Sequence, residues 1–167
     1  MTTESLLPAP TAVPGDVFRH TMARLPTGVA VVTTEGPDGP VGCTVNAVMS
    51  LSLDPPSLLV SLAGRSRTLD QVLERGAFAV NVLPWSARHL VRQFATGTAA
   101  QRFAGVPWRS EHGVPVLTAA SVSAVCEVSD RVPMYDHVLV AGTVTWTRSD
   151  DQPPTVLYAG AQHPVGD

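Results

Sequence analysis

The chain has 167 residues, of which 44% are hydrophobic, and this is enough for one domain with a core of ordinary size. Its net charge of −3 leaves no basic face strong enough to bind nucleic acid. All 11 basic residues are arginine, which excludes a lysine Schiff base and the lysine of a phosphate-binding P-loop.

The first predicted elements are a proline-rich flexible arm over residues 1–14 and a short helix that Asp16 caps and Pro26 ends. Helical spacing places three apolar side chains on one face of this helix, namely Phe18, Met22 and Leu25. β-branched residues over 29–34 predict a buried strand. The sequence GPDGP at 36–40 predicts a turn, because proline fixes φ and glycine permits a positive φ.

One long extended segment is predicted over 41–53, and Asp54-Pro55-Pro56 interrupts it. Four elements follow in the order strand, helix, strand, helix, at residues 57–62, 66–75, 78–83 and 86–95. Gly76 is a natural C-cap for the first of these helices.

Residues 96–115 have no steady period and are predicted to form a long loop. Two long strands are predicted at 119–132 and 138–148, a short one at 155–158, and a C-terminal tail at 161–167. Because strands mostly follow strands, a mainly β fold is expected, a Greek-key-like barrel with a few short peripheral helices.

Several kinds of site are not expected from the motifs present. Cys43 and Cys126 lie far apart and the five histidines are scattered, so no metal site is predicted and both thiols are expected to be reduced. The sequence has no G-x-G-x-x-G and no G-x-S-x-G. It also has no membrane-length apolar run and no signal-peptide pattern, which predicts a cytoplasmic protein without membrane contact.

Small hydroxyl and amide residues are concentrated at the ends of the apolar strands. They occur at Thr27-Gly28, at 44–47, at 50–52, and at Ser61, Ala63, Ser66 and Thr68. In one extended segment, alternation would place Thr44, Asn46, Ser50 and Ser52 on the same side. Such a row suits a polar, planar ligand, and it is equally typical of the solvated outer face of a half-buried sheet.

Six segments in this order resemble the flavin reductase-like family. They are PTGVAVVTT, GCTVNAVMSLSLDPPSLLVSL, SRTLDQV, GAFAVNVL, RQFA…RF and DHVLVAGTV, and the resemblance covers Phe18 to Tyr158. Members of this family are the short-chain reductase components of two-component flavin monooxygenases and have the FMN-binding split β-barrel fold. The resemblance therefore implies one split-barrel domain over residues 15–160.

The resemblance also implies an enzyme, an NAD(P)H:flavin oxidoreductase. It would be a homodimer with FMN or FAD in a groove near the subunit interface. Hydride would pass from NADH or NADPH to flavin N5, and the reduced flavin would leave for a partner monooxygenase. The sequence does not distinguish FMN from FAD, or NADH from NADPH.

The family's functional positions carry over as follows. Contacts with the flavin ring and ribityl chain fall on Thr27, Gly28, Thr44, Val45, Asn46, Ala47, Ser50, Leu51 and Ser52. The ribityl and phosphate end falls on Ser61, Ala63, Arg65, Ser66 and Thr68, and the FA…RF segment supplies Phe94, Arg102 and Phe103. Asp136 and His137 match the family's Asp-His pair near the nicotinamide, although a lone histidine at a strand start is more often a surface residue.

Two positions depart from the family pattern. Tyr135 replaces the glycine before Asp-His, and Ala161-Gln162-His163 stands where a tyrosine is usual. Both departures weaken the predicted assignment of nicotinamide-binding residues more than that of flavin-binding residues. Two alternatives therefore remain, a flavin enzyme with other redox chemistry on a small molecule and a non-catalytic flavin-binding or partner-binding protein.

Overall fold

The structure is a computed structural model that describes residues 11–166, so the first ten residues of the predicted arm and Asp167 lie outside the described residues. The helices are α1 (Gly15–Met22), α2 (Arg67–Arg75), α3 (His89–Ala95) and α4 (Ala99–Phe103). The strands are β1 (Thr27–Gly28), β2 (Ala30–Gly36), β3 (Gly39–Val45), β4 (Val48–Leu53), β5 (Pro56–Ala63), β6 (Ala77–Val82), β7 (Trp108–Glu111), β8 (Val114–Leu117), β9 (Val122–Met134), β10 (His137–Ser149), β11 (Thr155–Tyr158) and β12 (Ala161–Pro164). No helix among residues 11–166 is long and apolar enough to cross a membrane.

Seven antiparallel strands form the main sheet, in the order β3-β2-β6-β9-β10-β5-β4. Its two outermost strands, β3 and β4, are consecutive in the chain and are joined by only Asn46 and Ala47. The sheet must therefore curl until its two edges meet. The amide of Ser61 in β5 donates to the carbonyl of Ala47 (3.0 Å) at this meeting point. The expected mainly β barrel with a few short helices is confirmed.

Residues 29–34, which lead into β2 and form most of it, are buried on both faces, in agreement with their apolar and β-branched sequence. Ala30 and Val32 face a core inside the barrel, together with Leu69 and Val72 of α2. Val29 and Val31 face a second core under α3. The helix α2 thus covers one end of the barrel, and Gly76 ends it in the left-handed conformation (φ 72°), as predicted.

Three local predictions are wrong. The helix α1 has Pro14 as its N-cap, with Asp16 inside the first turn. The segment 41–53 is two strands, because Asn46 and Ala47 carry the chain from one sheet edge to the other. The loop predicted at 96–115 contains α4 and the β7–β8 hairpin. The helix α4 begins with a capping box in which Thr98 and Gln101 bond each other's backbone amides.

The C-terminal residues form a strand to which the sequence analysis assigned no element. The strand β12 pairs with β11, which in turn pairs with β1 in a small three-stranded sheet. The other predicted strands and helices have counterparts in the structure within a few residues.

Candidate functional site

A groove of about 810 Å³ opens between α2, α4 and the β2–β3 hairpin. Its walls are residues 37–42, the start of α2 with the residues just before it, and the segment from Gly97 to Phe103. Of the predicted cofactor-binding residues, it brings together Arg65, Ser66, Thr68, Arg102 and Phe103.

The N-terminus of α2 faces this groove through Ser66 and Thr68. Ser66 is the N-cap residue, yet its side chain makes no capping hydrogen bond within the described part of the chain. The first amides of a helix have no acceptor inside the helix and carry partial positive charge. The hydroxyl of Ser66 and these amides are therefore suited to an anionic group.

Arg102 is held firmly at the groove wall. Its Nη1 donates to the carbonyl of Gly42 (2.8 Å) and its Nε donates to the carbonyl of Thr96 (3.1 Å). The side-chain amide of Gln93 donates through Nε2 to the carbonyl of Arg102 (2.9 Å), which fixes α4 against α3. The guanidinium is thus presented to the groove with little freedom to reorient.

Cys43 lies behind this wall. Burial raises the pKa of its thiol, against smaller lowering effects from a hydrogen bond with Thr68, from the charge of Arg102 and from a hydrogen bond with Ser66. The thiol is therefore neutral at ordinary pH and adds no negative charge to the groove.

Asp136 and His137 lie at the β9–β10 turn, outside the lining of the groove but close to its Arg65 side. The amide of Gly64 donates to the carbonyl of Asp136 (2.9 Å), which joins this turn to the end of β5, just before Arg65. His137 Nδ1 lies 2.8 Å from Asp136 Oδ1. This hydrogen bond and the charge of His137 lower the pKa of the Asp136 carboxyl, with a smaller effect from Arg65.

Tyr135 sits at the tip of the same turn. Its φ of 56° lies in the left-handed region, which the glycine of the family pattern would adopt without steric strain. The side chain of Tyr135 is 101% exposed. The structure thus places a bulky ring next to the Asp136–His137 pair.

The predicted ring-contact residues of β3 lie near the meeting point of the two sheet edges. Ala30 at the start of β2 pairs with Val45 at the end of β3. Thr27 and Gly28, which precede β2, therefore lie at the same end of this strand pair as Asn46 and Ala47, which follow β3. Asn46 and Ala47 are exposed. Thr44 donates its hydroxyl to the carbonyl of Val91 (2.7 Å), and the side chain of Val45 belongs to the inner core.

The single row of hydroxyls predicted along 41–53 does not exist as such. Ser50 pairs with Leu58 of β5, so it lies on the opposite face of the β4–β5 ladder from Ser61. The register shifts between Ser50 and Ser52, at Leu51. The Ser52 hydroxyl accepts from the amide of Asp54 (3.1 Å) and so stabilises the following turn. Ala63 lies further along β5, opposite His137.

The two phenylalanines of the FA…RF segment have different positions. Against the other described residues, Phe94 is 0% exposed. Phe103 lines the groove, and its ring packs edge-on against Phe94 with centroids 5.0 Å apart. Phe94 therefore supports Phe103 from behind and has no surface of its own in the groove.

Part of the groove lining was not predicted from the sequence. This part includes the turn at 37–40, Arg67, Asp70, Gln71 and Ala100. The turn was predicted correctly, but nothing in GPDGP indicates that it faces α4. The spacing of Thr98 and Gln101 was the available signal for a helix opposite it.

Comparison with known proteins identifies a family whose sequence pattern matches most of the chain. The model of the flavin reductase like domain matches residues 22–166. A flavin reductase (NADH) of Kitasatospora aureofaciens is 46% identical over 140 residues, which cover 81% of this chain and 73% of that protein.

Two examples represent the solved structures that are similar over most of the chain. One is a homologue of nitrilotriacetate monooxygenase component B from Mycobacterium thermoresistibile, with a TM-score of 0.86, 28% identity and coverage of 90% of this chain and 86% of that one. The other is the NADH:FAD oxidoreductase of Streptomyces globisporus in complex with NAD and FAD fragments, with a TM-score of 0.84, 26% identity and coverage of 93% and 96%. With its split barrel, its groove at the start of α2 and a family match over nearly its whole length, the chain belongs to the flavin reductase like domain family.

Proposed function

We propose that the chain is an NAD(P)H-dependent flavin reductase that reduces FMN or FAD. The observation that carries this proposal is the groove in which Arg65, Arg102 and Ser66 lie together at the N-terminus of α2. Asp136 and His137 lie outside its lining, and the hydrogen bond from Gly64 to Asp136 joins them to the chain just before Arg65. The chemistry that a bound flavin supplies is two-electron acceptance: a hydride leaves NAD(P)H, which becomes NAD(P)+, and a solvent proton completes the reduced flavin.

The chain's own residues would bind and orient rather than exchange protons. Arg102, the Ser66 hydroxyl and the first amides of α2 would hold the flavin phosphate. Asn46, Ala47 and Ser61 would border the ring where the sheet edges meet. His137, hydrogen-bonded to Asp136, would contact the nicotinamide amide. Hydride transfer needs two rings held face to face and no side-chain acid or base.

The phosphate role of Arg102 is tested by comparing FMN with riboflavin, which lacks the phosphate. An Arg–phosphate contact contributes roughly 1.5–3 kcal/mol, so Arg102→Ala should raise the Kd for FMN about tenfold to a hundredfold and leave that for riboflavin within about twofold. Titration calorimetry measures both, and Arg92→Ala on α3, exposed and outside the groove, is the control.

Equal loss of FMN and riboflavin binding would show that Arg102 acts only through its bonds to Gly42 and Thr96. Steady oxidation of NADH or NADPH by the wild-type chain with added FMN or FAD tests the activity itself. A chain that binds flavin but oxidises neither nucleotide would contradict the reductase proposal and favour the other flavin functions.

We also propose that the protein is a homodimer that uses the outer face of β9, β10, β5 and β4. Directly paired residues share a face, so Val132, Leu139 and Ser61 lie together, as do Ala141, Leu59 and Met49. Val132 is 45% and Met49 50% exposed, and an uncovered apolar sheet face is typical of an interface. His137 and Ala63 are on this face too, so a second copy would dock next to the site.

A flavin-dependent monooxygenase is the partner we propose for the reduced flavin, because a similar chain is a homologue of a monooxygenase component. We place the protein in the cytoplasm, where the free thiols Cys43 and Cys126 would stay reduced. Coupled turnover with a purified oxygenase, in which its product forms only when the reductase is added, tests the partner class.

A further inference from the structure

The helix α4 carries Arg102 and is too short to be stable on its own. It has five residues, and the capping box of Thr98 and Gln101 closes its first turn. The carbonyls of Arg102 and Ala104 lie at its other end, where the helix provides no further amides to bond them. Because an isolated helix of this length does not persist in water, contacts from outside must fix its position.

The side chain of Gln93 supplies the missing donors. Its Nε2 donates to the carbonyl of Arg102 (2.9 Å) and to that of Ala104 (3.0 Å), and a longer contact reaches the carbonyl of Gln101 (3.4 Å). A side-chain amide nitrogen has two N–H groups, so the two short bonds use both of them. All three neighbouring atoms are acceptors, which identifies the nitrogen of the amide, and not its oxygen, as the atom that faces α4.

Gln93 is itself fixed, because α3 is bound to the barrel. Thr44 of β3 donates its hydroxyl to the carbonyl of Val91 (2.7 Å), two residues before Gln93. The residue after Gln93, Phe94, is buried and packs against the ring of Phe103 in α4. Two successive residues of α3 therefore hold α4, one by its backbone and one by its aromatic side chain.

The guanidinium of Arg102 depends on this arrangement. Its Nη1 donates to the carbonyl of Gly42 in β3, and its Nε donates to the carbonyl of Thr96, which follows α3. Neither bond uses Nη2, so the two N–H groups of this nitrogen are the ones that a phosphate in the groove would meet. Where Nη2 lies is set by the backbone of Arg102, and that backbone is the part that Gln93 bonds.

We propose that Gln93 is a positioning residue that sets the affinity for the flavin phosphate through Arg102. This inference rests on the proposed function, in which Arg102 holds that phosphate. Gln93 is not part of the groove lining, so it acts without touching the flavin. Loss of its amide would release the end of α4 and let the guanidinium shift. Hydrogen bonds weaken steeply with distance and angle, so the contact with phosphate would weaken.

The experiment measures Kd for FMN and for riboflavin by titration calorimetry in the wild type, in Gln93→Met, in Arg102→Ala and in the double variant. Methionine keeps the length of the side chain and removes both donors. We expect Gln93→Met to raise the Kd for FMN about threefold to tenfold and to leave that for riboflavin within about twofold. In the Arg102→Ala background the same change should have almost no further effect, because the residue through which Gln93 acts is gone.

Two further variants complete the comparison. Gln152→Met removes an exposed amide that donates to Asp150 (3.2 Å) outside the groove, and it should leave both affinities unchanged. Gln93→Asn keeps the amide on a side chain one methylene shorter, and it should give a Kd for FMN between those of the wild type and Gln93→Met. Thermal unfolding shows which variants are folded at the titration temperature, and Gln93→Asn carries the same test if Gln93→Met is not.

Several results would overturn the inference. An unchanged Kd for FMN in both Gln93 variants, with binding weakened in Arg102→Ala, would show that Arg102 is positioned without Gln93 and would leave the proposed function intact. Equal losses of FMN and riboflavin binding, or the same loss of FMN binding with and without Arg102, would show that Gln93 only supports the fold. If Arg102→Ala binds FMN as the wild type does, the phosphate role of Arg102 and this inference both fail. Absence of binding of either flavin to the wild type would contradict the proposed function itself.

Discussion

Tyr135 combines a left-handed backbone with a fully exposed ring beside Asp136 and His137. A nicotinamide that binds beside this pair, as proposed, would have to pass a large ring that glycine lacks, so we predict that Tyr135→Gly lowers the KM for NADH or NADPH severalfold and leaves flavin Kd unchanged. Tyr135→Asn is the control for the backbone, because asparagine tolerates positive φ without a large ring. Steady-state kinetics measure the effect, and a raised KM in both variants would mean that the ring itself holds the nicotinamide.

Cys126 is fully buried, and burial raises the pKa of its thiol from the usual 9.0 to about 12. Between these two values the folded chain keeps a proton that the unfolded chain releases, so this thiol makes the free energy of unfolding fall as pH rises above 9. Urea unfolding from pH 8 to pH 11 should therefore show a steeper decline in the wild type than in Cys126→Ala. Parallel curves would contradict this assignment.

At the scale of single residues, membership of the site was predictable from motifs, but burial and hydrogen-bond partners were not. Arg65, Ser66, Thr68 and Arg102 were found through motif positions, and the structure gathers them in one groove. The burial of Phe94 and the hydrogen bond from Thr44 to Val91 were not predictable, because both depend on where α3 packs. A sequence pattern gives the face of a strand but not the element that covers it.

At the scale of elements, Asn81 joins β6 to β2 and β8 from the outer side of the barrel wall, where β8 covers it. It is 0% exposed, its Nδ2 donates to the carbonyl of Val31 (3.1 Å) and to the hydroxyl of Thr33 (3.0 Å), and its Oδ1 accepts from the amide of Leu117 (2.9 Å). The sequence FAVNVL predicted the strand but not the buried position of Asn81. A single asparagine in an apolar strand is usually expected to face solvent.

We predict that Asn81→Leu destabilises the fold by roughly 3 kcal/mol, because it leaves buried donors and acceptors without partners. Such a loss lowers the Tm by roughly 6–12 °C in a chain of this size. Asn46→Leu, at an exposed position, should change it by no more than about 2 °C. Thermal unfolding followed by circular dichroism measures both, and equal shifts would show that the Asn81 bonds contribute little.

At the scale of the whole molecule, the order of the strands was the part that sequence could not provide. Strand lengths and turns followed from apolar runs and from glycine and proline, but the curl that brings β3 and β4 together depends on pairings far apart in the chain. The resemblance supplied the split barrel that local pattern did not. The same curl exposes the outer face of β4, β5, β9 and β10, on which the proposed dimer depends.

The dimer can be tested with two changes on a single strand. Val132→Glu places a charge on the proposed interface and should shift sedimentation from twice the chain mass of 17.6 kDa to the mass of one chain. Val122→Glu, at a comparably exposed position in the other half of β9, should remain dimeric. The wild-type Tm should also rise with protein concentration, and that of Val132→Glu should not. A wild type that sediments as one chain at all concentrations would contradict the dimer, and a dimeric Val132→Glu would place its interface elsewhere.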